Sequence, residues 1–537
     1  MNNINKKLFY FIALGVIAFS ASSCLDDLNV TPINPQVTQT FDQEAVFAKT
    51  YAAFALSGQE GAAGNNDIDI DDEGRFSLTR CLWNCSELPT DEALCAWGDN
   101  EVVELNVNTW PSTNLATRGL YARLYFIVTI GNHFLEQTAG KTDAITVKER
   151  AEVRYLRALS YYYLMDFFGS VPFTEKISDE FPPQIKRADL FTYIEKELTE
   201  CEPDMYEPRQ ADKPYYRLDK AANWMLKARL YLNAEIYTGT QRWDDAITYS
   251  NKVMTSAYKL NPSYKQLFMA DNAGTVDGST INTAPQEIIF PIAADGVKTK
   301  SWGASLFLIA STHTNGMAAW GSTEGWGGNR ARASLVKKFF PSGSVPTAAD
   351  LTTTAVDDRA MMNSIIDINV LPIDIKTRPV GITKVTDFLQ GISVAKYSNK
   401  RADGLASHDT QFPDMDIPFM RAAEAYLTYA EANLRSTAGN PTLALKAVND
   451  LRARAHAIPL TALSKDQVLD EWAREFYFEG RRRTDLIRYG YFGGGTYNWD
   501  WKGGTAAGTS FPAKFNLMPI PPGDLNANPN LKQNPNY

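Results

Sequence analysis

The sequence predicts a mainly α-helical protein, a tetratricopeptide-like scaffold of helix pairs with long, irregular, loop-rich excursions. Three observations point there. A template of small, large, Ala, large at i, i+4, i+7 and i+11 occurs at Ala151, Tyr155, Ala158, Tyr162, again at Ala221, Met225, Ala228, Leu232, and again at Ala423, Leu427, Ala430, Leu434. That spacing sets four residues on one helix face, and the central Ala lets a neighbouring helix approach closely. Each copy is followed by a second helical stretch, over 188–201, 243–254 and 441–455, as in helix–turn–helix repeats. Between the pairs lie 59–114, 256–330, 341–419 and 491–537, rich in Gly and aromatic residues. Loops of such length are usually functional or disordered, and their aromatic content predicts an ordered layer on the scaffold.

The elements follow in chain order. Lys6 and Lys7 precede an apolar run from Leu8 to Phe19 and then Ser20-Ala21-Ser22-Ser23-Cys24. The run is too short to cross a hydrocarbon core about 30 Å thick. It suits a lipoprotein signal peptide over 1–23, with Cys24 as the lipid acceptor that anchors the chain to a membrane. Ala21 stands where a lipid-acceptor signal is strongest with Leu. Residues 24–537 read as a single domain. It has helix pairs near 145–202, 219–256 and 420–456, a helix over 465–489, and a loop-rich layer drawn mainly from 59–114 and 256–330.

Composition excludes several classes. Net charge is −9, which speaks against nucleic acid, because phosphate binding needs a basic face. The one basic run, Arg481-Arg482-Arg483, sits among Glu475, Glu479 and Asp485. Glu479 and Arg483 are spaced for a pair on a helix surface. Beyond Cys24 there are Cys81, Cys85, Cys95 and Cys201, whose spacing fixes no disulfide pairing and matches no zinc set. His133, His313, His408 and His456 stand in no nucleophile or metal motif. Glu87, Asp91 and Glu92 of ELPTDE offer the two carboxylates a glycosidase needs. They read better as turn acids, with Thr90 or Asp91 capping a short helix. No enzyme and no required cofactor is expected. Asp271, Asp414 and Asp416 supply hard oxygens that make weak calcium candidates.

Five long motifs carry a resemblance. RAEVRYLRALSYYYLMDFFGSVPF (150–173), DIPFMRAAEAYLTYAEANL (416–434), AVNDLRARA (447–455), WAREFYFEGRRRTDLIRYG (472–490) and MPIPPGDLNANPNLKQNPNY (518–537) resemble the signature of the SusD/RagB family of outer-membrane lipoproteins. The loop segments NCSELPTDE, YEPRQ, SAYKL, LFMADN and DGVKTK are similar to its starch-binding branch. The resemblance implies a SusD-like helical scaffold and a non-catalytic protein on the cell surface. Such a protein binds starch-like α-glucan and caps a SusC-type TonB-dependent outer-membrane transporter; other members take a different glycan or peptide. It also implies site residues: Trp97 in CAWGDN, Trp302 in KTKSWG and Trp326 in STEGWGG as sugar-stacking rings, with Asp72, Arg80 and Asn100 as polar partners. The chain departs from the branch at Trp302, where Tyr is usual, and at Cys95, where an aromatic residue is expected and whose smaller side chain should narrow the platform.

The chemistry of these residue types suits that task. A pyranose has an apolar C–H patch that rests on an aromatic face, and hydroxyls around its edge. Arg offers a fork of donors, Asn both donor and acceptor, Asp acceptors. In WGSTEGWGGN (320–329), Trp326 reads as a sugar platform, and Trp320 as either serving the same surface or, the favoured reading, packing beneath it. The glycines read as clearance for a ring-sized ligand.

Overall fold

The computed structural model describes residues 40–59, 61–62, 65–70, 74–274, 282–314, 317, 319–340, 357–362 and 379–537. Residues 1–23, expected to be a signal segment, and Cys24 and Asp72 lie outside these. Glu44–Tyr537 form one compact unit. Its helices are α1 (Gln43–Ala55), α2 (Leu78–Glu87), α3 (Asn100–Asn106), α4 (Leu115–Gln137), α5 (Ala144–Phe168), α6 (Arg187–Cys201), α7 (Lys220–Leu232), α8 (Ala234–Thr238), α9 (Trp243–Met254), α10 (Ser305–Ala310), α11 (Ala333–Phe339), α12 (Ala423–Arg435), α13 (Pro441–Arg454), α14 (Lys465–Phe476), α15 (Arg482–Arg488) and α16 (Pro522–Ala527).

The template residues form the seams between helices. In α5, Asp143 caps the N-terminus by accepting from Thr146 N at 2.9 Å, and Gly169 closes the other end at φ 73°. Ala151, Tyr155, Ala158 and Tyr162 are all buried. The Tyr155 hydroxyl donates to Ala222 O at 3.2 Å, tying α5 to α7. Asp219 caps α7 through Ala221 N at 2.9 Å. Packing runs α4 on α5, α5 on α6, α7 on α9, α9 on α12 and α12 on α13. Ala at the crossing points is what allows the close approach.

Strands are few and short. β1 (Ala93–Cys95) pairs antiparallel with β5 (Asn329–Ala331), Leu94 opposite Arg330. β2 (Val171–Pro172) pairs with β3 (Gln184–Ile185). β4 (Ile288–Ile292) pairs with β6 (Ile417–Arg421) and pins two irregular regions together. Among the described residues no helix is long and apolar enough to cross a membrane.

The single helix expected over 465–489 is two helices. α14 opens on a capping box of Ser464 and Gln467. It stops where Phe478 and Gly480 take φ of 64° and 76°, a conformation no α-helix continues through. The break undoes the expected Glu479–Arg483 pair. Glu479 accepts from Lys396 at 2.6 Å and from Arg421 at 2.7 Å. Arg483 reaches Asp166 at 3.2 Å. The arginine run is internal: Arg482 grips Asp91 with two hydrogen bonds of 2.7 and 2.8 Å.

Candidate functional site

The site lies in the loop layer, where residues distant in sequence are brought together by short, specific contacts. Ser77 caps α2 by accepting from Arg80 N at 3.3 Å and donates to Gly303 O at 2.7 Å. A Cβ on Gly303 would fall 1.9 Å from Gly74 O, so these two backbones can touch only because residue 303 is glycine. That contact places Trp302 beside α2. On the other side, the β1–β5 pair extends through Ala96 N to Gly328 O at 3.0 Å, which sets Trp97 against 326–328. Trp326 N donates to Ala310 O at 2.8 Å, at the end of α10.

The three indoles form one row with Trp326 in the middle. Its centroid is 6.5 Å from Trp97, with the planes at 55°, and 6.4 Å from Trp302, at 32°. All three are half-buried. Arg80 lies with its guanidinium carbon 5.1 Å from the Trp97 ring and 5.1 Å from Phe307, a cation–π arrangement. Phe412 supports Trp302 edge-on at 5.0 Å. Glu324 orients the central indole, accepting from Trp326 Nε1 at 2.8 Å while Gln411 Nε2 holds its other oxygen at 2.8 Å. Asn100 is exposed as the first residue of α3.

Sequence reasoning missed the supports Phe307, Phe412, Glu324 and Gln411. Only Glu324, two residues from Trp326, carried a local signal. Trp320 is buried, as expected, with its Nε1 donating to Glu324 O at 2.8 Å and its ring on His313 at 5.0 Å. Burial pushes His313 down to about 4, so the imidazole there is neutral and its Nδ1 donates to Ile309 O at 2.8 Å.

The glycines serve a different purpose from the one expected. A Cβ on Gly325 would meet the Trp320 ring at 2.7 Å, and one on Gly328 would meet Trp97 Nε1 at 2.3 Å. Gly327 and Gly328 also have φ of 62° and 102°. Gly325 and Gly328 make room for indoles of the protein, and Gly327 for the side chain of Thr314. Cys95 is buried on β1, and burial pushes its thiol up to about 12.

The carboxylates of ELPTDE cap no helix. Glu87, Asp91 and Glu92 are buried, and the chain runs on into β1. Glu87 accepts from Gly480 N at 2.6 Å and Arg481 N at 3.0 Å. No substrate reaches them. Of the calcium candidates, Asp271 spends both oxygens, on Asn282 Nδ2 and Ala402 N, each at 2.9 Å. Asp414 and Asp416 accept from His408 N and Ala294 N, each at 2.8 Å, and each keeps one buried oxygen without a hydrogen bond. Burial pushes Asp416 up to about 8, with Asp295 and Asp414 adding repulsion. Among the described residues no group of three or more His, Cys, Asp or Glu is placed to hold a metal ion.

With this geometry in place, comparison with known proteins decides the family. The SusD family model matches residues 385–537. The starch-binding protein SusD of Bacteroides thetaiotaomicron is 42% identical over 99% of this chain and 99% of its own. The chain belongs to the SusD family. Solved structures share the SusD fold. A SusD homolog from Bacteroides thetaiotaomicron superposes with a TM-score of 0.67 at 20% identity, covering 92% of this chain and 96% of that one. Surface glycan-binding protein A from the same organism, in complex with laminarihexaose, gives 0.66 at 19% identity over 92% and 99%. At such identities the likeness is one of fold.

Proposed function

We propose that the protein binds starch-like α-glucan on the Trp97–Trp326–Trp302 row, without chemistry, and delivers it to a SusC-type TonB-dependent outer-membrane transporter from a lipid anchor at Cys24. The row itself carries this reading: three half-buried indoles spaced 6.5 and 6.4 Å apart, with a guanidinium at one end. Flat faces take the C–H patches of successive sugars, and Arg80 with Asn100 and Asp72 takes hydroxyls. The planes are inclined by 55° and 32°, so the three faces do not lie in one plane, which suits a chain that curves better than one that lies flat. The 42% identity to a starch-binding protein supports the same ligand. A few hydrogen bonds and stacked rings give modest affinity, roughly micromolar to millimolar. Repeated units of a polymer then raise retention through effective concentration.

Affinity electrophoresis tests the ligand class. Migration is expected to be retarded in amylopectin and not by a β-glucan, and laminarihexaose is expected not to compete. Unretarded migration in every α-glucan defeats the reading. Release of new reducing ends from starch above a no-protein control would defeat its non-catalytic part.

A further inference from the structure

The row has a neighbour that no motif marks. The segment 385–390 approaches it from 55 or more residues away in sequence and is fastened by Arg330, which is 1% exposed. This guanidinium donates to Val385 O at 2.7 Å, to Gln390 O at 2.6 Å and to Asp387 O, while its Nε donates to Gly328 O at 3.1 Å. All four acceptors are carbonyls, and burial pushes Arg330 down to about 10. A buried cation satisfied only by backbone is costly to place. What it achieves here is to lock one loop to β5, the strand that begins three residues after the central indole. The loop is also braced internally. Gln390 Oε1 accepts from Thr383 N at 2.7 Å and Lys384 N at 2.9 Å, and Asp387 Oδ1 accepts from Leu389 N at 2.9 Å.

The tip of this rigid loop presents Phe388, 39% exposed, and Leu389, 48% exposed. A lone exposed ring needs no explanation. Phe388 is not placed at random, however: its Cδ1 lies 3.6 Å from where a Cβ on Gly327 would be. It therefore flanks the backbone immediately after Trp326. The same spot lies 2.4 Å from Thr314 Cγ2, so Thr314 and Phe388 together pack on the backbone at Gly327.

We propose that Phe388 is a fourth sugar-contacting ring, a side wall beside the central indole that closes one flank of the glucan groove. This deepens the α-glucan reading and rests on it. A ring held in place before the ligand arrives adds contact at little cost in ordering. Leu389 beside it adds apolar cover without a flat face, so the contact that matters is the planar one.

Calorimetry with maltoheptaose on wild type, Phe388→Trp, Phe388→Leu and Phe388→Ala tests it, with the melting midpoint of each. A flat ring is expected to be required. Phe388→Trp keeps wild-type affinity, whereas Phe388→Leu and Phe388→Ala bind about 3- to 10-fold more weakly, the range of an aromatic contact. Phe388→Leu fills the space and guards against a folding artefact. Wild-type affinity in Phe388→Leu and Phe388→Ala overturns the proposal while leaving the Trp row in place. Failure of the wild type itself to bind maltoheptaose overturns the site reading, and the proposal with it.

Discussion

Two regions hold most of the unusual side chains, and they are built on opposite principles. The loop layer presents three half-buried indoles, the central one tied through its Nε1 to Glu324. The helical core, around α12 to α15, hides a lattice of charge. Glu475 accepts from Arg421 at 2.5 Å, from Arg359 at 3.0 Å and from Arg454. Arg421 and Arg454 also share Glu287, each at 3.0 Å. Every one of these groups is at least nine-tenths buried. The lesson concerns where function sits. The motifs that make the family legible, such as WAREFYFEGRRRTDLIRYG, are interlocks that join helices to loops. The rings assigned to binding lie in segments of weak pattern.

That contrast predicts separable effects. Breaking the lattice should cost most. Glu475→Ala leaves three guanidinium groups facing an unfilled buried space, a loss of about 3–5 kcal/mol. A large fall in melting midpoint checks it; a midpoint within a degree or so of wild type contradicts the role given to the lattice. A smaller and different effect is expected in the loop layer. Gly328→Ala forces a Cβ against Trp97 Nε1 at a φ of 102°, which costs about 1–3 kcal/mol in strain and tilts the indole. Affinity for maltoheptaose should drop by about tenfold. Gly98→Ala, which meets no atom within 4 Å, serves as the control and should bind normally. Equal binding by the two variants would erase the distinction.

The smallest effect falls where the regions meet. Burial raises Glu87 from 4.5 to about 7, against the pull of the hydrogen bond with Glu92, the N–H groups of Arg481 and Gly480, and the charge of Lys396. Burial and the charge of Glu87 raise Glu92 as well, with Arg482 at 3.4 Å on its other side. Between those two pH values the folded protein holds a proton that the unfolded chain has lost. The stability this group contributes is therefore full below its unfolded pKa and declines as pH rises toward 7. Glu87→Gln, which cannot titrate, should remove a decline on the order of 1 kcal/mol between about pH 5 and about pH 7. Parallel midpoint-versus-pH curves for variant and wild type would contradict it.

The helices were legible because their signal is local. The Ala158, Ala228 and Ala430 templates repeat within single segments, and each packs as the periodicity requires. The break at Phe478 was not, because WAREFYFEG has helical spacing and only Gly480 hints at a stop. Trp97, Trp302 and Trp326 came from the resemblance and not from composition, since any of the chain's 11 tryptophans could have been core. Phe412 under Trp302 and Gln411 on Glu324 lie 110 and 87 residues from their partners in sequence, beyond any periodicity. The glycines of 325–328 were read with the right purpose, clearance, and the wrong beneficiary. Only the three-dimensional structure shows that the space is filled by Trp320, Thr314 and Trp97.

The central claim is that indole faces grip an α-glucan. Its most direct test is the maltoheptaose dissociation constant of a Trp97→Ala, Trp302→Ala, Trp326→Ala triple variant beside wild type, measured by calorimetry with melting midpoints for both. The account predicts binding lost to below detection with the fold retained. A triple variant that binds maltoheptaose as wild type does would contradict it.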